Sequence, residues 1–267
     1  MAPIRVLVHG ALGKMGEAAI NAVCVDDELE LVGAVDVRAD QPQLDVRTTK
    51  STVPFSSNLE SLASTIKADV MVDFTQRDAT MPAIRIAAKR KINIVIGTSG
   101  LSETEMVEIK SLCEENQIGA AVVPNFSLGA VLMMYLSKIA ARYFDYAEIV
   151  EMHHEQKLDS PSGTAIATAR GMVESHGKPF VYPATEKESI TGGRGAAYEG
   201  IALHSMRSPG FMAHQEVILG GPGQTLKIRH DQINRDAFGP GITLAIKDVV
   251  KSKGLTFGLE RLLGLQE

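Results

Sequence analysis

The first apolar run of the chain, Ile4-Arg5-Val6-Leu7-Val8, is short and nearly unbroken, as in a strand covered on both faces. It is followed by His9-Gly10-Ala11-Leu12-Gly13-Lys14-Met15-Gly16, and then by Ala18, Ala19, Ala22 and Val23 at helical spacing. A second strand is predicted over 29–35, ending at Asp36. The alternation continues with a strand over 70–74, a helix over 79–88 and a strand over 92–96 that stops at Gly97-Thr98-Ser99-Gly100. A helix over 103–113 and a strand over 118–123 follow, the latter closed by Pro124-Asn125-Phe126-Ser127. Strands alternating with helices predict an α/β fold, a parallel, doubly wound Rossmann-type sheet.

After Ser127 the pattern changes. A helix is predicted over 128–144 with Val131, Met134, Leu136 and Ile139 inward, then a strand over 146–152. Ser160-Pro161 reads as a helix start, with Ser160 as N-cap and Pro161 at the first helical position. Ala165, Ile166, Ala169, Met172 and Val173 form its apolar stripe, and Gly177 and Pro179 close it. Strand-like runs at 200–208, 213–219 and 224–230, separated by Pro209-Gly210 and Gly220-Gly221-Pro222-Gly223, predict an antiparallel meander. Residues 188–199 read as a mobile loop, 240–252 as a helix, and the apolar tail 255–263 as packing back on the first domain. The expected organisation is a dinucleotide-binding Rossmann domain, 1–126 with 239–267. A second α+β domain with a largely antiparallel sheet, 127–238, would bind substrate and oligomerise. The crossings near 125–128 and 235–240 would form a hinge.

Composition narrows the function class. The chain has 267 residues, 45% hydrophobic and 22% charged, with a net charge of −5, which argues against nucleic acid or an anionic membrane as the main partner. Cys24 and Cys113 fall on predicted helices and build no disulfide framework, so a reducing, cytoplasmic setting is expected. The N-terminus reads as a strand, not as a signal peptide, and no apolar run is long enough to span a bilayer.

Two sets of residues carry candidate chemistry. The first is the edge of the parallel sheet where ligands of such folds bind. It holds the turn Gly10, Ala11, Leu12, Gly13, Lys14 and Met15, then Phe74, then Gly97, Thr98 and Ser99, then Pro124, Asn125 and Phe126. The glycines at 10, 13 and 16 are spaced G-x-x-G-x-x-G, and Asp36 lies twenty residues past Gly16, where an acid meets an adenosine ribose. Lys14 and Arg38 are placed to pair with a 2′-phosphate, so both NADH and NADPH are expected to bind. Any one of these turns alone is an ordinary loop; four on one edge form a groove.

The second set is Glu151-Met152-His153-His154-Glu155-Gln156-Lys157-Leu158-Asp159-Ser160-Pro161-Ser162-Gly163-Thr164-Ala165. The amides of Ser162, Gly163 and Thr164 at a helix start would face outward as a carboxylate or phosphate cradle. His153, His154 and Lys157 beside it supply proton donors near neutral pH. The competing reading is a capped surface helix after a polar loop. A metal site is not expected, because neighbouring histidines on an extended segment point to opposite faces and no further ligands complete a shell.

These motifs, with Val72-Asp73-Phe74-Thr75, resemble those of the 4-hydroxy-tetrahydrodipicolinate (dihydrodipicolinate) reductases of the diaminopimelate–lysine pathway, collinearly over nearly the whole chain. The segment 151–165 is the specific part; the glycine turn is not. The resemblance implies NADPH and/or NADH as cofactor, a homotetramer built through the second domain, and reduction of a cyclic dicarboxylate. It agrees with the reading of the residues that His153 is the general acid and that Lys157 meets a substrate carboxylate. Gly163 and Thr164, with Ser162, would hold a carboxylate, and His154 would bind. There are departures. An acid followed directly by Arg is common after the second strand, whereas here Val37 intervenes between Asp36 and Arg38. The third motif reads Gly-Thr-Ser-Gly instead of the commoner Gly-Thr-Thr-Gly, and His204–Gly210 replaces a more usual turn, so no role is carried onto it. Another Rossmann-type reductase of a small carboxylate, or a non-catalytic nucleotide sensor, are the rival readings; a sensor needs no proton donor.

Overall fold

The structure is a computed structural model that describes residues 2–265. The elements run β1 (Ile4–His9), α1 (Lys14–Cys24), β2 (Leu29–Val35), β3 (Gln43–Val46), β4 (Ser51–Ser56), α2 (Leu59–Thr65), β5 (Val70–Asp73) and α3 (Arg77–Lys89). Then come β6 (Asn93–Ile96), α4 (Glu103–Asn116), β7 (Gly119–Val122), α5 (Leu128–Ala141), β8 (Tyr146–His153) and α6 (Gly163–His176). The chain ends with β9 (Ala196–Tyr198), β10 (Ile201–Arg207), β11 (Ala213–Gly221), β12 (Gln224–Gln232), α7 (Gly239–Val249), β13 (Gly254–Phe257) and α8 (Leu259–Leu262). Two compact units form, 1–128 with 235–267, and 129–234.

The first unit is built on an eight-stranded sheet in the order β13-β7-β6-β5-β1-β2-β4-β3, parallel except for the β3–β4 pair. Val70, Met71 and Val72 of β5 and Ile94, Val95 and Ile96 of β6 are fully buried. Both faces of these strands are covered, and this is why the strands read as unbroken apolar runs. Each such side chain contributes about 1.5–3 kcal/mol relative to exposure. Leu62, Ile84 and Ile109, from α2, α3 and α4, share one core with Leu7, Met71 and Ile94. α1 and α7 pack on each other, and Ala19 and Val23 of α1 and Ile242 and Ile246 of α7 are buried. The apolar tail becomes the edge strand β13, parallel to β7.

β3, β4 and α2 were not expected. Their segments are short and polar, and only Val46, Val53 and Phe55 are buried in the two strands, too few to set a period.

The second unit carries a five-stranded sheet in the order β12-β11-β8-β10-β9. Its pairs are antiparallel except one: β8 and β10 are parallel, with His153 opposite Arg207 and Glu151 opposite Ser205. The expected meander is therefore corrected: β11–β12 is a hairpin, but β8 lies between β10 and β11. Local turn signals define hairpins and are silent on which distant strand fills the gap. Part of the predicted loop 188–199 is the strand β9.

One sheet face packs on α5 and α6: Ile149, Val217 and Leu203 share a core with Ala141 of α5 and Ala165, Ala169 and Met172 of α6. On α5 the expected inward set is also corrected. Ala130, Val131, Met133, Ser137 and Ala141 are buried, while Leu136 is 49% exposed and Met134 and Ile139 are half-buried. Leu128–Ala141 is apolar nearly all round, so spacing alone does not choose its inner face.

Candidate active site

In the first unit, β1 ends in a tight glycine turn. Gly10 has φ +84°, and a Cβ there would lie 2.6 Å from the Phe74 carbonyl oxygen. Gly16 is tighter still: a Cβ would lie 2.1 Å from the Gly10 carbonyl oxygen and 2.9 Å from Ala11 Cα. Only hydrogen fits at both positions, so the turn closes on itself and brings the start of α1 against the end of β1. No side chain caps α1, whose N-cap is Gly13. Its first N–H groups and the positive end of its dipole suit an anionic diphosphate. The turn is tied to β2 by the Gly10 and Ala11 N–H groups, which donate to Val35 O at 2.8 and 3.0 Å.

Asp36 is buried, with Oδ2 accepting Leu12 N–H at 2.9 Å and Oδ1 accepting Arg38 Nε at 2.9 Å. Burial pushes this carboxyl up, but the Arg38 bonds and the Leu12 N–H outweigh it and hold it below the usual carboxylate range. Arg38 and Lys14 are exposed. Gly97 is required by close packing: a Cβ there would strike the Phe74 ring at 2.1 Å. Phe74 and Phe126 meet edge to face, with centroids 5.3 Å apart. A cavity of about 400 Å³ is lined by Met15, Phe74, Thr75, Arg77, Thr98 and Ser99 among others. Pro124 is exposed, and Asn125 accepts the Ser127 N–H at 2.9 Å through its side-chain oxygen. A larger cleft, about 860 Å³ and lined by Asp26, Thr48, Asp236 and Pro240, carries none of the predicted residues.

Beneath this edge lies a residue that sequence reasoning quoted only as part of a motif. Asp73 is fully buried. Its Oδ1 is 2.7 Å from His9 Nδ1 and accepts Thr75 Oγ1 at 2.9 Å; its Oδ2 accepts Thr80 Oγ1 at 2.8 Å and lies 3.0 Å from Thr98 Oγ1. One carboxylate thus gathers the end of β1, the loop after β5, α3 and the loop after β6. Burial raises its pKa, and the His9 and threonine bonds more than reverse that, so it stays ionised.

In the second unit the specific motif sits at the end of β8. Glu151 is fully buried and His153 half-buried. Alternation along the strand places both on one face. Glu151 Oε2 is 2.5 Å from His153 Nδ1 and 2.9 Å from Arg207 Nη1; Oε1 accepts Arg207 Nη2 at 2.7 Å and Ser162 N–H at 3.2 Å. Burial pushes the Glu151 carboxyl up, but the bonds from His153 and Arg207 outweigh it and hold it at about 2. An ionised carboxylate only accepts, so His153 Nδ1 carries a proton.

The helix start differs from expectation. α6 begins at Gly163, and its N-cap is Ser162, whose Oγ accepts Ala165 N–H at 3.1 Å; Ser160-Pro161, a cis peptide, lies before it. The two serines stand two residues apart with similar flanks, and only the backbone decides which one caps. Ser162 N–H consequently turns inward to Glu151 instead of facing outward with Gly163 and Thr164. Gly163 is exposed, Thr164 and His154 half-buried. Lys157 Nζ pairs with Asp159 Oδ1 at 2.6 Å. That pairing, with the Gly163 N–H among the further contributors, lowers the Asp159 pKa. A carboxylate of the chain itself is therefore held by the lysine predicted to hold one. Among the described residues, no group of three or more His, Cys, Asp or Glu could hold a metal ion.

Sequence reading missed Glu151 and Arg207 as site residues. Glu151 had a signal, two positions before His153 on a strand. Arg207 had none, because its place follows from the parallel pairing of β8 and β10.

A doubly wound sheet with a glycine turn at the end of its first strand, joined to a second unit bearing an ion-paired histidine, is the architecture of a dinucleotide-dependent oxidoreductase. The comparisons make this specific. Two family descriptions match, "Dihydrodipicolinate reductase, N-terminus" over residues 4–126 and "Dihydrodipicolinate reductase, C-terminus" over 129–263. The chain belongs to the dihydrodipicolinate reductase family.

The 4-hydroxy-tetrahydrodipicolinate reductase of Dehalococcoides mccartyi (strain ATCC BAA-2100 / JCM 16839 / KCTC 5957 / BAV1) is 49% identical over 99% of this chain and 100% of its own length. That of Bacillus subtilis is 42% identical over 97% and 98%. The dipicolinate-bound dihydrodipicolinate reductase from Paenisporosarcina sp. TG-14 superposes with a TM-score of 0.87 at 41% identity, covering 97% of this chain and 99% of that one. An amine dehydrogenase from Mycobacterium smegmatis, at 16% identity and TM-score 0.63, shares the fold alone.

Proposed function

We infer that this chain reduces 4-hydroxy-tetrahydrodipicolinate with NADH or NADPH, in the lysine and diaminopimelate route, as its family does. The glycine turn closed by Gly10 and Gly16, with the start of α1 left uncapped by any side chain, fits the cofactor diphosphate. When bound, the nicotinamide supplies a hydride. His153 donates the proton that the reduced substrate needs on the adjacent carbon, from the ring nitrogen opposite the Glu151-bound Nδ1. Lys157 and the Gly163 and Thr164 amides, with the Thr164 hydroxyl, hold a substrate carboxylate, and His154 binds the substrate. The observation that carries this is the His153 ring oriented by buried Glu151, on the segment where Lys157 already holds the Asp159 carboxylate at 2.6 Å.

The test is a coupled assay with freshly generated substrate and each cofactor, on wild type, His153→Ala and Lys157→Ala. A lost general acid lowers turnover about a hundredfold to ten-thousandfold. Lys157→Ala should lower turnover and raise the substrate KM together. Near-normal turnover with a lowered melting temperature in His153→Ala would leave the cradle as the only functional part.

Arg38, exposed yet anchored by Asp36, and Lys14 are assigned to a 2′-phosphate, with Asp36 on the ribose of NADH. Arg38→Ala should weaken NADPH relative to NADH. We further propose a homotetramer, assembled through the face of the second sheet that carries half-buried Val150 and Ile218. A monomer by light scattering at micromolar concentration would refute it. No helix among the described residues is long and apolar enough to cross a membrane, and a cytoplasmic location is proposed from the cysteine usage.

A further inference from the structure

We propose that Glu151 is a positioning residue that sets the proton donor and the carboxylate cradle in one geometry. The proposal rests on His153 being the proton donor. Arg207, in this account, is the counter-ion of Glu151 and not a cation for substrate.

Every lone-pair direction of Glu151 is used. One oxygen takes His153 Nδ1 and Arg207 Nη1, the other Arg207 Nη2 and the Ser162 N–H. These partners come from three separate stretches: the end of β8, the end of β10 and the cap of α6. The carboxylate is fully buried, so water cannot substitute for it. Its bond to Nδ1 orients the imidazole and keeps a proton on that nitrogen, which leaves Nε2 as the exchanging atom. Its bond to Ser162 N–H fixes the residue whose Oγ caps α6 at Ala165, and so fixes the direction in which the Gly163 and Thr164 amides point. Arg207 is committed by its bidentate pairing and by a third bond, Nη2 to Asp159 O at 2.7 Å. That last bond also ties down the segment between Lys157 and the cradle. The geometry therefore links the acid, the cradle and the lysine loop through one buried ion pair.

Glu151→Gln tests this. The amide presents a donor to one of its partners, and a donor facing Nδ1 removes the proton there, so the ring no longer forms the doubly protonated acid. Turnover should fall at least about tenfold, toward the hundredfold typical of a lost acid. Substrate KM should rise through the Ser162 link, and cofactor KM should stay unchanged. The decisive measurement is the double variant with His153→Ala. If Glu151 acts through His153, adding E151Q to H153A lowers turnover by less than about twofold, while the rise in substrate KM persists. A residue that merely supports the fold would give equal turnover losses in both backgrounds, and that result overturns the proposal. So does an E151Q enzyme with normal turnover.

Gln leaves Arg207 without its charge partner; if E151Q does not fold, E151D takes its place. E151D keeps the charge but draws the carboxylate back from His153, Arg207 and the Ser162 N–H. It should show an intermediate turnover loss that again vanishes in the H153A background. Failure of the underlying reading is separately visible: wild type would not oxidise NADPH with this substrate, or H153A would turn over normally.

Discussion

Gly16→Ala is a one-methyl change whose cost follows from the geometry of the glycine turn. The added Cβ would lie 2.1 Å from Gly10 O, 2.8 Å from Gly10 C and 2.9 Å from Ala11 Cα. All three obstacles are backbone, so no side-chain rotation relieves them. A carbon–oxygen contact needs roughly 3.2 Å or more, judged against ordinary van der Waals separations of about 3.5–4.0 Å between carbons. The turn must therefore open by about 1 Å, or α1 must retreat by as much. Gly10 has little room to yield toward the sheet, where even a Cβ built on it would lie 2.6 Å from the Phe74 carbonyl oxygen. Overpacking of this kind costs about 1–3 kcal/mol of stability. The same displacement moves the helix N–H groups away from the diphosphate.

A loss of about tenfold to a hundredfold in cofactor affinity is expected, about 1.4–2.8 kcal/mol. The chain has no Trp, so binding is best followed by calorimetry or by the fluorescence of NADH itself. Native cofactor affinity in a folded Gly16→Ala protein would refute both the steric reasoning and the placement of the diphosphate. Gly171 is the control. It lies inside α6, a Cβ there would meet nothing within 4 Å, and Gly171→Ala should stabilise by about 0.5–1 kcal/mol in thermal melts.

Two further outcomes follow from the buried carboxylates. Burial pushes the Glu151 carboxyl up, but the His153 and Arg207 bonds hold it at about 2, below its ordinary 4.5. This depression stabilises the folded state; the contribution is fully present above pH 4.5 and is lost as pH falls through 2. The gap in melting temperature between wild type and E151Q should therefore narrow on acidification from pH 5 to pH 2, and a pH-independent gap would contradict it. Asp73→Asn puts an amide among His9, Thr75, Thr80 and Thr98. The hydroxyls can turn to accept from it, so the cost is moderate, about 1–2 kcal/mol. It should appear as roughly a tenfold rise in cofactor KM with substrate KM unchanged, measured by varying each in turn.

The strands of the parallel sheet were legible because each is buried on both faces, and burial on both faces leaves an unbroken apolar run in the sequence. The glycine turn was legible for a related reason. Positions 10 and 16 tolerate no side chain, and a residue type that is forced by sterics shows itself without a structure. The segment 151–165 was legible because its chemistry is local: donors, lysine and helix start lie within fifteen residues of one another. What stayed hidden depended on partners far away in the chain. Arg207 reaches Glu151 only because β10 lies parallel to β8, with Arg207 in register with His153. Asp73 becomes a hub only when β1, β5 and β6 stand side by side and bring His9 and Thr98 to it. The inner face of α5 was set by what packs on it, since the helix is apolar nearly all round. Sequence by itself determined the residues that local sterics, burial and short-range chemistry constrain; tertiary structure alone decided which buried charges meet, because a pairing between distant strands leaves no period in the chain.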